Sequence, residues 1–204
     1  MMRLRCLCMG VGLLGLAAGC VNEASKARVS PEQGPRVRLE TDLGDIEVEL
    51  YAKEAPLSAA NFLRYVDGGF FANARFFRTV TMDNQPNDKV RIQVIQVEGN
   101  PAMADRLYDP IPLERTRDTG LRHLDGTLSM ARNGPDTAQE SFSICVGDQP
   151  NLDFGGGRQP DGQGFAAFGR VVRGMDVVHK IHAQPADGQR IIEPVRIRRA
   201  VRIE

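Results

Sequence analysis

The 204-residue chain has no Trp, three Tyr and three His, so its nine Phe must do most of the aromatic packing. Cysteine is scarce, at four residues, and two of them, Cys6 and Cys8, fall within the first ten positions. Neither charge sign dominates: 26 Lys and Arg balance 26 Asp and Glu, which excludes nucleic-acid binding driven by bulk charge. No period of 20–50 residues recurs, so solenoids and propellers are excluded. Apolar residues at 42% and charged residues at 25% describe a chain with enough material for one folded core.

The long apolar run is confined to the start. Arg3 and Arg5 precede the stretch Met9–Ala18, which is too short for a mature membrane span and reads as an export signal. It ends on Leu16-Ala17-Ala18-Gly19-Cys20, which resembles a bacterial lipobox with Leu one position farther from the Cys than the strict pattern. The resemblance implies that 1–19 are a signal peptide and that Cys20 is lipidated after cleavage; the alternative is an ordinary secretory signal. Cleavage leaves 24 basic against 26 acidic residues, with Cys20 and Cys145 as the remaining thiols. Cys145 lies in the run Phe142-Ser143-Ile144-Cys145-Val146 and reads as a small buried residue. Segment 20–35 reads as a flexible tether, and 36–204 as the folded domain.

From Val37 onward the rhythm is that of strands. Val37 and Leu39 alternate, Thr41–Asp45 turns, and Ile46, Val48 and Leu50 resume the alternation. Pro56 and Ser58 open a helix whose Ala59, Phe62, Leu63 and Val66 follow the helical period. Short strands are expected near 76–80, 91–97, 126–131, 141–146 and 166–172. A second helix carrying Val177, Val178 and Ile181 begins near Met175, and a last strand holds Val195, Ile197, Val201 and Ile203. Eight strands and two separated helices predict a mainly β fold: a closed antiparallel barrel capped by two helices. The polar stretch 81–90 and the Gly-rich 153–164 are too long for tight hairpins and are candidate functional rims.

Five blocks in order resemble the cyclophilins, the barrel-shaped peptidyl-prolyl cis–trans isomerases. They are Gly44-Asp45-Ile46, Ala55–Phe62, Phe76-Phe77-Arg78-Thr79-Val80, Gly126–Arg132 and Phe168–Val178, and the likeness covers 37–203. The family's catalytic arginine falls on Arg78, and its glutamine falls on Gln96 across a link about ten residues longer than usual, Thr81–Arg91. The chemistry suits a guanidinium. Resonance holds the peptide bond planar behind a barrier of about 18–20 kcal/mol. Twisting it localises a lone pair on the prolyl nitrogen, to which an arginine can donate only in the twisted state. No metal or cofactor is required.

The resemblance also implies a substrate site of Phe77, Gln93, Val94, Ala131, Arg132, Phe142, Ser143, Leu152 and Phe165. Ala131 and Arg132 match positions whose backbone pairs with the substrate. Gln93 and Ser143 stand where the proline pocket usually has two further Phe, Val94 replaces a Met, and Ser141 stands where a Gln is usual. Phe77 and Phe165 replace His, and Asn151 replaces the Trp of cyclosporin-sensitive members, which implies weak drug binding. The expected partners are proline-containing unfolded or exported polypeptides, handled by a monomer tethered through Cys20 on the periplasmic side of a bacterial envelope, at the outer rather than the inner membrane. The competing reading is a catalytically feeble barrel that holds proline segments as a chaperone, which the Gln93 and Ser143 departures favour. His179 and His182 are spaced i, i+3 without a completing ligand, and His123 belongs to no hydrolase motif.

Overall fold

Alternation of apolar residues with Arg and Glu makes the first two strands two-faced, and they pair through the turn at 42–43. In the computed structural model, which describes residues 34–204, these are β1 (Arg36–Thr41) and β2 (Gly44–Leu50). The expected signal peptide, Cys20 and the expected tether up to 33 lie outside the described residues. The remaining strands are β3 (Ala74–Val80), β4 (Val94–Glu98), β5 (Thr127–Met130), β6 (Phe142–Cys145), β7 (Ala167–Arg173), β8 (Ala186–Asp187) and β9 (Arg190–Ile203). Their order is β1-β2-β7-β5-β6-β4-β3-β9, and β9 pairs back onto β1, so eight antiparallel strands close into a barrel and leave the two-residue β8 outside it. Closure removes the open edges that a sheet of this length would present.

Among the described residues three α-helices accompany the barrel, one more than expected: α1 (Pro56–Asp67), the single turn α2 (Thr116–Thr119) and α3 (Met175–His182). α1 buries Ala59, Phe62, Tyr65 and Val66. Its first turn has no local side-chain cap; instead the Glu114 carboxylate accepts from Leu57 N at 2.9 Å and Ser58 N at 2.7 Å. That satisfies two of the orphan amides every helix start carries. Gly174 precedes α3 at φ 96°, and a Cβ there would lie 2.4 Å from the Asp45 carbonyl oxygen, so only glycine fits this junction.

The barrel interior is filled from both ends. Phe62 of α1 meets Phe142 at a centroid distance of 5.2 Å, Phe71 meets Phe142 at 5.6 Å, both edge to face, and Phe168 closes the group. Such pairs add about 0.5–1.5 kcal/mol each beyond their area burial. The four rings, with Leu39, Ile46, Val48, Leu128 and Ile144, make the main core.

Candidate active site

The ladders on both sides of β3 shift register between Phe76 and Arg78, so Phe77 is left unpaired in each and the side chains after it change face. A bulge of this kind re-aims a side chain. Phe76 stays in the main core, whereas Arg78 and Val80 join the outer wall of the barrel.

On that wall the pairing register sets Arg78 opposite Gln96, Gln96 opposite Ser143, and Ser143 opposite Ser129, a polar row across β3, β4, β6 and β5. Beside it lies a second apolar cluster, separate from the barrel interior: Val80, Ile92, Val94, Cys145 and Leu152, with Phe165 packed against them. A cationic group at the margin of an apolar patch is the arrangement a prolyl substrate needs. Cys145 is fully buried in this cluster, and burial pushes its thiol far above the ordinary range, so it is no nucleophile.

Arg78 is held by amide oxygens. Its Nη1 donates to Gln96 Oε1 at 2.8 Å, and its Nε at 2.9 Å and its Nη2 donate to Gln189 Oε1. Gln96 Nε2 in turn donates to Ser141 Oγ at 3.2 Å, and that hydroxyl donates to the Val97 carbonyl at 2.7 Å. Among the described residues no carboxylate pairs with Arg78. Of the five N–H groups a guanidinium carries, three are used and two remain for a ligand. Burial lowers the Arg78 pKa, the nearby Arg158 charge lowers it further and Asp88 opposes them; an arginine keeps its charge nonetheless.

The rims are tied to this wall. Arg132, buried despite its charge, forms a two-pronged pair with Asp161 at 2.7 and 2.9 Å and donates to the Gly164 carbonyl at 2.8 Å, with its guanidinium 5.2 Å from the Phe165 ring centre. The ion pair holds the Asp161 carboxyl down at about 2. Gly164, at φ 64°, lies so close to Asp153 that a Cβ would come within 2.5 Å of its carbonyl carbon. Phe165 N then donates to the Leu152 carbonyl at 2.9 Å, fixing the two apolar walls together.

One expected site residue lies elsewhere. Phe142 does not line the outer wall: it is at 0% exposure in the main core, because it alternates with Ser143, which faces outward. Of the expected apolar members, Val94, Leu152 and Phe165 therefore stand together in the outer cluster. Gln93 is half-buried, with its N–H donating to Gln149 Oε1 and its carbonyl accepting from Val146 N, both at 3.0 Å. Ala131 N donates to the Ser141 carbonyl at 3.0 Å, while the Ala131 carbonyl and the Arg132 N–H have no partner among the described residues.

Three features escaped the sequence. Gln189 sits in the β8–β9 turn, 111 positions from the arginine it holds. Ile92 and Val80 extend the apolar patch. His123, for which no motif was apparent, bridges Asp153 Oδ1 at 2.7 Å and Ser129 Oγ at 2.9 Å. That is the connectivity of a hydrolytic triad, but the residues around Ser129 carry no hydrolase motif, and the chain of bonds braces β5 against the loop that carries Leu152.

The chain belongs to the cyclophilin family. Residues 36–202 match the family described as cyclophilin type peptidyl-prolyl cis-trans isomerase/CLD. It is 37% identical over 150 residues to a peptidyl-prolyl cis-trans isomerase of Acinetobacter baylyi, covering 73% of this chain and 72% of that protein. It is 34% identical over 149 residues to peptidyl-prolyl cis-trans isomerase B of Escherichia coli, covering 71% and 82% respectively. Its fold is shared with the crystal structure of a Cryptosporidium parvum cyclophilin type isomerase, at a TM-score of 0.66 and 22% identity, over 83% of this chain and 98% of that one.

Proposed function

We propose that the chain catalyses cis–trans isomerisation of X-Pro bonds in extended polypeptides laid across the outer wall, with Arg78 as the catalytic residue. The observation that carries this reading is the Arg78–Gln96 pair at the edge of the Val94–Leu152–Phe165 patch. The apolar patch grips the pyrrolidine ring, and the free Ala131 carbonyl and Arg132 N–H pair with the substrate backbone. The two unused N–H groups of Arg78 meet the prolyl nitrogen as its lone pair appears. Because neutral amides hold Arg78, its charge is left for the substrate, and the stabilisation grows only as the bond twists. Nothing is transferred, so no nucleophile or proton carrier takes part.

The lipobox-like end of the signal region supports a further reading: the protein is anchored through Cys20 on the periplasmic side of a bacterial envelope, at the outer membrane, and its clients are exported chains. A second reading, a holding module of low activity, is favoured by Gln93 and Ser143, which remove two rings from the pocket. A protease-coupled assay on an Ala-Pro-Phe peptide separates the two: a rate above the uncatalysed background supports the enzyme, and background rate with measurable peptide binding supports the module.

A further inference from the structure

The inserted segment 81–91 is fastened at both ends of the site. Toward the β8–β9 turn, Asn84 Nδ2 donates to the Thr79 carbonyl at 3.0 Å and to the Gly188 carbonyl at 3.1 Å, and Asn84 Oδ1 accepts from Thr81 N at 2.8 Å. Gln189 Nε2 donates back to the Asn84 carbonyl at 3.3 Å, and the Gln189 carbonyl accepts from Thr79 N at 2.9 Å. Toward the Gly-rich rim, Arg158 Nη1 donates to Gln85 Oε1 at 3.0 Å and to the Val90 carbonyl at 2.8 Å, and pairs with Asp88 at 3.0 Å. Gln85 is 1% exposed and closes the segment on itself through the Thr81 and Ile92 carbonyls. The segment is thus a strut braced between the turn and the rim.

The same Gln189 side chain that meets Asn84 accepts from Nε and Nη2 of Arg78. Two donors on one acceptor fix the guanidinium plane, and Gln96 on the opposite edge removes the remaining rotation. We propose that Gln189 is a positioning residue for Arg78 and that the inserted segment acts through it, so the insertion tunes catalysis instead of covering the substrate. This rests on the reading of Arg78 as the catalytic residue.

The test uses the whole domain with three variants. Gln189→Met keeps length and the backbone bond to Thr79 N but removes the acceptor; Asn84→Ala removes the side-chain bonds of the insertion to Thr79 and Gly188 and leaves only the backbone carbonyl to meet Gln189; Arg78→Lys identifies the Arg78 Nε–H signal by its loss. A misoriented group loses rate before it loses binding, so Gln189→Met should lower kcat roughly tenfold or more with KM within about twofold. Asn84→Ala should lower it by a smaller factor in the same direction. In both variants the Arg78 Nε–H signal should move and exchange faster with solvent, a readout that does not depend on activity and that a purely structural role would leave in place. An unchanged Arg78 signal, unchanged kcat, or a change confined to KM in Gln189→Met overturns the proposal. If Arg78→Lys itself leaves the rate unchanged, the reading of Arg78 is what fails, and the role of Gln189 falls with it.

Discussion

Arg78 and Gln96 stand opposite each other on β3 and β4, 2.8 Å apart from Nη1 to Oε1, although the chain between them is stretched by an insertion. The pair survives because the ladder resumes at Val80 opposite Val94 and the extra residues leave the barrel as the strut described above.

The Arg132–Asp161 latch gives the site an acid limit. The hydrogen bond from Arg132, helped by the Gln163 N–H, holds the Asp161 carboxyl at about 2, below the ordinary 3.8. A carboxyl lowered in the folded state contributes above its ordinary value and loses that contribution as pH falls through the folded one. The Phe165 ring signals should therefore shift with a midpoint at about 2, where the folded carboxyl titrates, and Asp161→Asn should flatten the response. The same pH response in wild type and Asp161→Asn would contradict this account.

Ser143 leaves the pocket short of a wall. It sits between Gln96 and Ser129 on the polar row, while Ile92, just after the insertion, packs farther along, with Val94 and Cys145. Ser143→Phe should raise kcat/KM, within the limit of about 1.5–3 kcal/mol that burying one such ring contributes. A loss with intact folding would mean that the space is already filled.

The Asp153–His123–Ser129 chain is a brace, so its removal should be read in stability. His123→Ala should destabilise the domain by about 1–3 kcal/mol for each buried partner it strands, measured by urea unfolding. Ser129→Ala should keep isomerase activity within about threefold, since its buried hydroxyl meets His123 and its loss falls on stability. Covalent labelling of Ser129 by a fluorophosphonate would contradict the brace and favour a nucleophile.

The proposed anchor is tested at Cys20. Cys20→Ser should abolish incorporation of labelled fatty acid and release the protein from the membrane fraction. Unchanged partitioning would rule out lipidation there.

The opening of the barrel was readable because period-2 alternation is clear in β1 and in Ile46, Val48 and Leu50 of β2, while later strands such as the wholly buried β5 were legible only as short runs; Val177, Val178 and Ile181 advertise α3. The single turn α2 was not, since four residues carry no periodicity. Phe142 and Ser143 show the same limit inside the site: neighbours on a strand face opposite ways, and a one-residue error in assigning the pocket moves a ring from core to cleft. Gln189, Glu114 and the His123 partners depend on contacts between segments far apart in the chain, to which no local pattern points.

The most direct test of the central claim is the isomerisation rate of Arg78→Ala on an Ala-Pro-Phe peptide, with thermal unfolding followed in parallel. Loss of the guanidinium should lower kcat/KM by roughly two to three powers of ten, about 3–4 kcal/mol of transition-state stabilisation, with the melting temperature nearly unchanged. A rate within about twofold of wild type, a difference of only about 0.4 kcal/mol, would contradict Arg78 as the catalytic residue.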